Sequence, residues 1–260
     1  MRKKATLVVL AHHDDEFFCS ALIAREHARL QHLIVAYTSH GSVYRPGLGG
    51  VRSEETKQAF EKLKITNLTL IPVGQELDVF DGQVDQNLPR LFAHLILRLD
   101  LFDVTRVVAM AWEGGHADHD ASHLLAVAIA RKLQVKKDEV LEFPSYNSCH
   151  VPRPFFKVGK FAEGGSSSES NLSLGEAARC LRMILLYHSQ WKSFLGLLPG
   201  ITWQLMIQRQ QQIRQVADYN YRHPPHGGEL FYRRRFHRTF QSFLENTKAF
   251  QDSTIFQPPV

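Results

Sequence analysis

Ten residues near the start of the chain, Leu7-Val8-Val9-Leu10-Ala11-His12-His13-Asp14-Asp15-Glu16, run from apolar side chains straight into two histidines and three carboxylates. Five ionisable groups in a row fit poorly as solvated surface, because the strand that delivers them reads as fully buried. Histidine nitrogen combined with carboxylate oxygen suits zinc or another first-row divalent ion, and a spare carboxylate beside such an ion is a ready general base. The plainer alternative is a strand ending in an acidic helix N-terminus, with Asp14, Asp15 and Glu16 complementing the helix dipole.

A second cluster decides between the two. Gly114-Gly115-His116-Ala117-Asp118-His119-Asp120-Ala121-Ser122-His123 places three histidines and two aspartates where another apolar run ends. His116 and His119 can converge from one turn, and Asp118 is placed to accept a hydrogen bond from an imidazole and fix its tautomer. A catalytic zinc site needs three protein ligands and an open position; His12, Asp15 and His119 would supply the three. A competing reading takes His119-Asp120-Ala121-Ser122-His123 as a metalloprotease-like helix motif, giving a zinc peptidase or amidase built on the His119/His123 pair. Aspartate is one methylene shorter than the glutamate that mechanism uses, and this reading leaves residues 12–16 without a role.

The elements that must position these clusters alternate regularly. Apolar runs at 7–10, 33–38, 68–73, 104–111 and 139–143 read as strands, and helical spacing covers 17–30, 51–64, 88–99 and 123–134. The expected fold class is therefore α/β: a Rossmann-like, mostly parallel sheet with helices on both faces, whose ligands lie beyond the carboxyl ends of the strands. Both clusters then share one crevice, with the loop carrying Gly41, Pro46, Gly47, Gly49 and Gly50 as its lip. Past Pro144 the alternation fades. The expectation is a single domain with a core over about 5–145 and a C-terminal helical and loop extension over about 146–260. Within the extension, residues 163–171 read as a lid loop, 174–187 as a helix, the stretch through Arg214 as further helix, and Glu229 to Tyr232 as a strand.

The 260 residues, 44% hydrophobic and 22% charged, exclude disordered and fibrous classes. Cys19, Cys149 and Cys180 lie far apart, so neither a disulfide framework nor a paired-cysteine zinc site is indicated; with no secretion-type segment, the expected location is the cytoplasm. Cys19, one helical turn past the first cluster, is a candidate to face the site. Met183 to Ile207 is rich in Leu, Ile and Trp, but His188, Lys192, Pro199 and Gly200 break it, so it reads as an interfacial or core helix pair and not as a bilayer span. The net charge of +5 is spread along the chain, apart from Arg233-Arg234-Arg235-Phe236-His237-Arg238. That run reads as a helix face or an anionic-substrate rim, and no nucleic-acid partner is expected. A non-catalytic sugar- or nucleic-acid-binding protein using this run is the third alternative; a base and an acid flanking a complete ligand set argue against it.

The two clusters resemble the Ala-His-Pro-Asp-Asp-Glu and His-Pro-Asp-His signatures of the PIG-L (LmbE-like) family of zinc-dependent de-N-acetylases. The likeness extends to Thr38–Gly41, to Arg52 and Glu55 of an Arg-x-x-Glu helix, and to Glu142-Phe143-Pro144 with Tyr146 and His188-Ser189-Gln190, covering roughly residues 5 to 190. His13 and Ala117 stand where the family most often has proline, and motif position favours His12 over His13 as the ligand. The resemblance implies that His12, Asp15 and His119 hold zinc, that Asp14 is the base towards a zinc-bound water, and that His116 stabilises the oxyanion or protonates the leaving amine with Asp118 setting its charge. It implies Arg52, Glu55 and Tyr146 as substrate contacts. The implied activity is removal of acetyl from a small-molecule N-acetylated amino sugar or glycoconjugate, with a homo-oligomer left open.

Overall fold

In a computed structural model describing residues 2–29, 31–43, 47–163 and 168–255, the chain is organised on a seven-stranded sheet. The first half alternates as β1 (Lys3–Leu10), α1 (Ser20–Ala28), β2 (His32–Tyr37), α2 (Leu48–Lys62), β3 (Leu68–Ile71), a short α3 (Val73–Glu76), α4 (Leu88–Leu99), β4 (Phe102–Met110), α5 (Ala117–Lys132) and β5 (Val140–Phe143). The second half adds a β6 (Tyr146–Asn147) and β7 (Lys157–Val158) hairpin, then β8 (Ser168–Asn171), α6 (Leu174–Ile184), α7 (Trp191–Thr202), β9 (Gln210–Gln215), α8 (Phe231–Phe236) and α9 (Phe240–Phe250). Strand order is β3-β2-β1-β4-β5-β9-β8; the first five strands are parallel, and β9 and β8 close the edge antiparallel.

Successive side chains of a strand point to opposite faces, so an uninterrupted apolar strand needs cover on both. In β1, Leu7 and Val9 enter a core built with Leu88, Leu91, Leu95 and Leu99 of α4 and most of α5, while Val8 and Leu10 enter a second core with Ala59 and Phe60 of α2, Met183 of α6 and Phe194 of α7. The expected mostly parallel sheet, covered on both faces, is what forms. It puts the ends of β1 and β4, neighbours in the sheet, at one edge of the molecule.

Three expectations are corrected. The stretch before Arg214 is not all helix: after a π-helical turn (Trp203–Gln208), Arg209 adopts φ 53° and the chain enters β9. The glutamines there follow no apolar helical period, and pairing with β5 and β8 decides their state, with Gln211 reaching the Ala21 amide and the Phe17 carbonyl. Phe231 to Phe236 is helix where a strand over 229–232 was expected, because Phe231 and Tyr232 are buried neighbours instead of alternating. Of the lid expected at 163–171, residues 164–167 lie outside the described residues and 168–171 form β8.

Candidate active site

β1 ends at Leu10, and its continuation carries His12 to Glu16 into a 3-10 turn (Asp15–Cys19). β4 ends at Met110, and its continuation turns through Glu113-Gly114-Gly115 into α5 with His116 as N-cap, its Nδ1 accepting the Asp118 amide at 3.1 Å. That turn is held by Asp120 Oδ1, which accepts the amides of Glu113 and Gly114 at 3.2 Å each. Gly115 must be glycine: a Cβ there would stand 1.9 Å from the Tyr146 carbonyl oxygen.

Proton accounting fixes which ring nitrogens are free. Glu113 is fully buried and accepts the Ser145 amide, the Ser145 hydroxyl, the Tyr146 amide and the Asn147 side-chain amide. The single Ser145 proton is thereby committed, so Ser145 Oγ accepts from His119 Nδ1–H at 3.0 Å. His119 Nε2 is left buried and, among the described residues, without a hydrogen-bond partner, 3.3 Å from Asp15 Oδ1. His12 Nε2–H donates to Asp118 Oδ2 at 3.1 Å, and its Nδ1 faces Asp15 Oδ2 at 3.4 Å. Two imidazole nitrogens facing one buried carboxylate repel it as bare lone pairs, so either a proton or a metal cation must stand among them. His12, Asp15 and His119 offer ligand atoms within 4.8 Å of one another, a nitrogen–nitrogen–oxygen set that fits zinc or another first-row divalent ion, and each imidazole is braced through its other nitrogen as metal-bound histidines are. His12, His116 and Asp118 also lie close together, but there Asp118 already accepts His12 Nε2–H and the Gly82 amide, and His116 Nδ1 is taken by its own cap.

The local electrostatics follow. Burial opposes ionisation of Asp15, yet His119 and His12 hold its carboxyl well below the usual range. Burial likewise opposes protonation of His12, but Asp118 and Asp15 outweigh it and raise the ring well above its ordinary value, so Nδ1 holds a proton in the place a bound cation would take. Burial pushes His116 down to about 3, so with Nδ1 accepting it is a neutral ring carrying its proton on Nε2. Asp14 sits at φ 119°, a conformation non-glycine residues rarely hold. Burial pushes its carboxyl well up, against the opposing charge of Arg52.

His12, Asp14, Asp15, His116 and His119 line one cavity of about 240 Å³ together with Arg52, Asp81 and Tyr146. Asp81 bridges to Arg52 at 3.3 Å and accepts the Gly41 amide. Much of the remaining wall comes from the C-terminal half: Phe194 and Leu197 of α7 and Phe231, Arg235 and Phe236 of α8.

Several expected roles move. Asp118 braces His12 and lies 3.8 Å from His116 Nδ1, so it does not set the charge of His116 through a hydrogen bond. Glu55 is not in the cavity wall: it accepts the amide and hydroxyl of Ser189 and anchors the turn before α7. His13 points away, stacked on Tyr37 at 4.1 Å and hydrogen-bonded to Thr56, which leaves His12 alone to face the site. Cys19 is buried in the second core. His123, the second histidine of the peptidase reading, donates from Nδ1 to the Met110 carbonyl and accepts the Tyr221 hydroxyl at Nε2, so both its nitrogens are occupied away from His119. Sequence reasoning missed Glu113, Ser145 and Asp81. Of the basic run, Arg235 and Phe236 line the cavity, whereas Arg234 is held by Glu229 and two carbonyls and Arg238 by Gly82 and Asp85.

Residues 7–130, which span both clusters, match the model of the PIG-L family, described as GlcNAc-PI de-N-acetylase. These residues form a PIG-L family domain. A deacetylase of teicoplanin biosynthesis, solved as a deacetylase-bog complex, superposes on the PIG-L fold of this chain with TM-score 0.58 at 18% identity, covering 83% of this chain and 100% of its own. The zinc-inhibited form of teicoplanin deacetylase Orf2 gives 0.57 at 17% identity, with coverage of 83% and 100%. The A40926 pseudoaglycone deacetylase Dbv21 gives 0.57 at 14%, covering 84% of this chain and 100% of its own. At such identities the likeness establishes the shared fold. A comparison of sequence alone with curated proteins finds no match.

Proposed function

We propose that this PIG-L domain is a metal-dependent hydrolase that removes the acetyl group from an N-acetylated amino sugar or glycoconjugate. The observation that carries the proposal is the convergence of His12 Nδ1, His119 Nε2 and the Asp15 carboxylate beside Asp14 and a neutral His116 in one cavity. The family's description as a de-N-acetylase and the deacetylases among its structural neighbours support the reaction class.

Zinc or a related ion held by His12, Asp15 and His119 would supply Lewis acidity and lower the pKa of a water. Asp14, in the wall and, among the described residues, not engaged by a hydrogen bond from another side chain, takes the proton of the attacking water. As the amide carbonyl becomes tetrahedral, His116 Nε2–H donates to the oxygen on which charge develops. The proton on Asp14 then passes to the departing nitrogen, the carbon–nitrogen bond breaks, and acetate and a free amine leave. Arg52 and Asp81 offer a charged donor and acceptor to sugar hydroxyls or a phosphate, and Tyr146, Phe194, Phe231 and Phe236 give apolar faces for a pyranose ring and exclude water.

Acetate release from a panel of N-acetylglucosaminyl compounds, with protein stripped of metal and reloaded with zinc, tests the reading. Metal-dependent release of acetate is the expected result; hydrolysis of peptide substrates with no acetate from any sugar would overturn it.

A further inference from the structure

α7 has one face in the protein and one outside it. Phe194 and Ile201 are buried and Leu197 lines the cavity, whereas Trp191, Leu195 and Leu198, at i, i+4 and i+7, are 59%, 64% and 40% exposed. The outward pattern continues into the next turn with Trp203 and Ile207, and Leu185 at the end of α6 is 70% exposed. Single exposed leucines are ordinary, but six large apolar side chains exposed within one short run of linked helices are not.

The charge of this region is as unusual as its hydropathy. From Ala177 to Gln215 there is no aspartate or glutamate, and the one acid of α6, Glu176, is engaged at the helix start in a capping box with Ser173. Arg179, Arg182, Lys192 and Arg209 are exposed, while Arg214 is paired with Glu142. A face that binds an ordinary protein partner usually carries both signs at its rim; tryptophan and leucine mixed with only basic groups match the headgroup boundary of an anionic bilayer. Among the described residues no helix is long and apolar enough to cross a membrane.

We propose that the exposed face of α6, α7 and the following π-helical turn docks the protein flat on an anionic lipid surface. Trp191, Leu195, Leu198, Trp203, Ile207 and Leu185 sink to the level of the acyl boundary, and Arg179, Arg182, Lys192 and Arg209 meet the lipid phosphates. Because Phe194 and Leu197 of the same helix form the cavity wall, docking brings the active-site opening beside the lipid surface, where an amphiphilic glycoconjugate presents its headgroup. The docking itself does not depend on the reaction assigned to the cavity.

Flotation of the full chain with phosphatidylcholine vesicles, with and without phosphatidylserine, tests it without an activity assay. Binding is expected to the phosphatidylserine vesicles, weakened by high salt and accompanied by a blue shift of tryptophan emission. Leu195→Ser combined with Trp203→Ser should lower partitioning by at least about tenfold, and Lys192→Glu by several-fold, with circular dichroism unchanged. Absence of binding to either vesicle, or binding that both variants leave intact, overturns the proposal. So does a concentration-dependent dimer that the same variants dissociate, which would assign the face to a second copy of the chain.

Discussion

The two halves of this molecule divide the labour differently. The three proposed metal ligands and their bracing groups Asp118 and Glu113 all come from the ends of β1 and β4 and the start of α5, while Ser145, Tyr146 and Asn147 complete the shell around Glu113. Residues after Pro144 supply most of the aromatic wall: Tyr146 of β6 and Phe156 just before β7, Phe194 of α7, and Phe231 and Phe236 of α8. Chemistry held on strand tips tolerates little displacement, whereas a wall can vary without moving a ligand. The first half should therefore govern metal and rate, and the second half substrate affinity.

The largest break in that division should come from His119→Ala, with loss of the bound metal and a fall in turnover of at least about a thousandfold, the several kcal/mol that a metal Lewis acid supplies. His123→Asn should keep the metal, because both His123 nitrogens are occupied elsewhere; metal analysis of the two variants checks this, and the reverse pattern would revive the peptidase motif. Next in size is Glu113→Gln. An amide at that position can no longer accept all four donors, so the Ser145 hydroxyl loses its fixed direction and His119 its tautomer; metal affinity should fall about ten- to a hundredfold with the fold retained. Competition with a chelator measures it, and an unchanged affinity would mean that the His119–Ser145–Glu113 chain is not what orients the ligand.

In the second half, Phe236→Ala and Arg235→Ala should raise KM several-fold, up to about tenfold, and leave kcat and metal content nearly unchanged. Steady-state kinetics on the responsive sugar substrate decide it; a fall in kcat at constant KM would place α8 in the chemistry. The last effect touches neither metal nor substrate but stability. Burial depresses His123 to about 4 in the folded chain, below its ordinary 6.5. In the interval between, the unfolded chain binds a proton that the folded chain does not, so the stability His123 contributes is present above 6.5 and lost as pH falls towards 4. The advantage of the wild-type chain over His123→Asn should shrink across that interval by up to about 3 kcal/mol. Denaturant unfolding at several pH values checks the trend, and a constant difference would contradict it.

What could be read from sequence follows the same line. β1 is legible because its apolar run needs no partner to be recognised, and His12, Asp15 and His119 are legible because ligand types stand together at strand ends. Glu113 and Ser145 are not: each is an ordinary residue in its own segment, and only the packing of the β4 end against the start of β6 joins them behind His119. Glu55 was legible as a helix residue but not as the anchor of Ser189, a contact across 134 positions. Gln210 to Gln215 carries no pattern of its own and becomes a strand through its neighbours. Arg235 was one arginine in a basic run until the turn of α8 separated it from Arg234 and Arg238.

The most direct test of the central claim is the metal content and acetate release of Asp14→Asn and Asp15→Asn, measured on the same preparations. Asp15 accepts the His12 amide and faces both free imidazole nitrogens, whereas Asp14 stands in the wall beside them. Asp14→Asn should keep its metal and lose turnover by about a hundredfold to ten-thousandfold, the usual effect of removing a general base. Asp15→Asn should lose metal and recover part of its turnover at high zinc. Loss of metal from Asp14→Asn with retention in Asp15→Asn, or near-normal turnover in Asp14→Asn, would contradict the account.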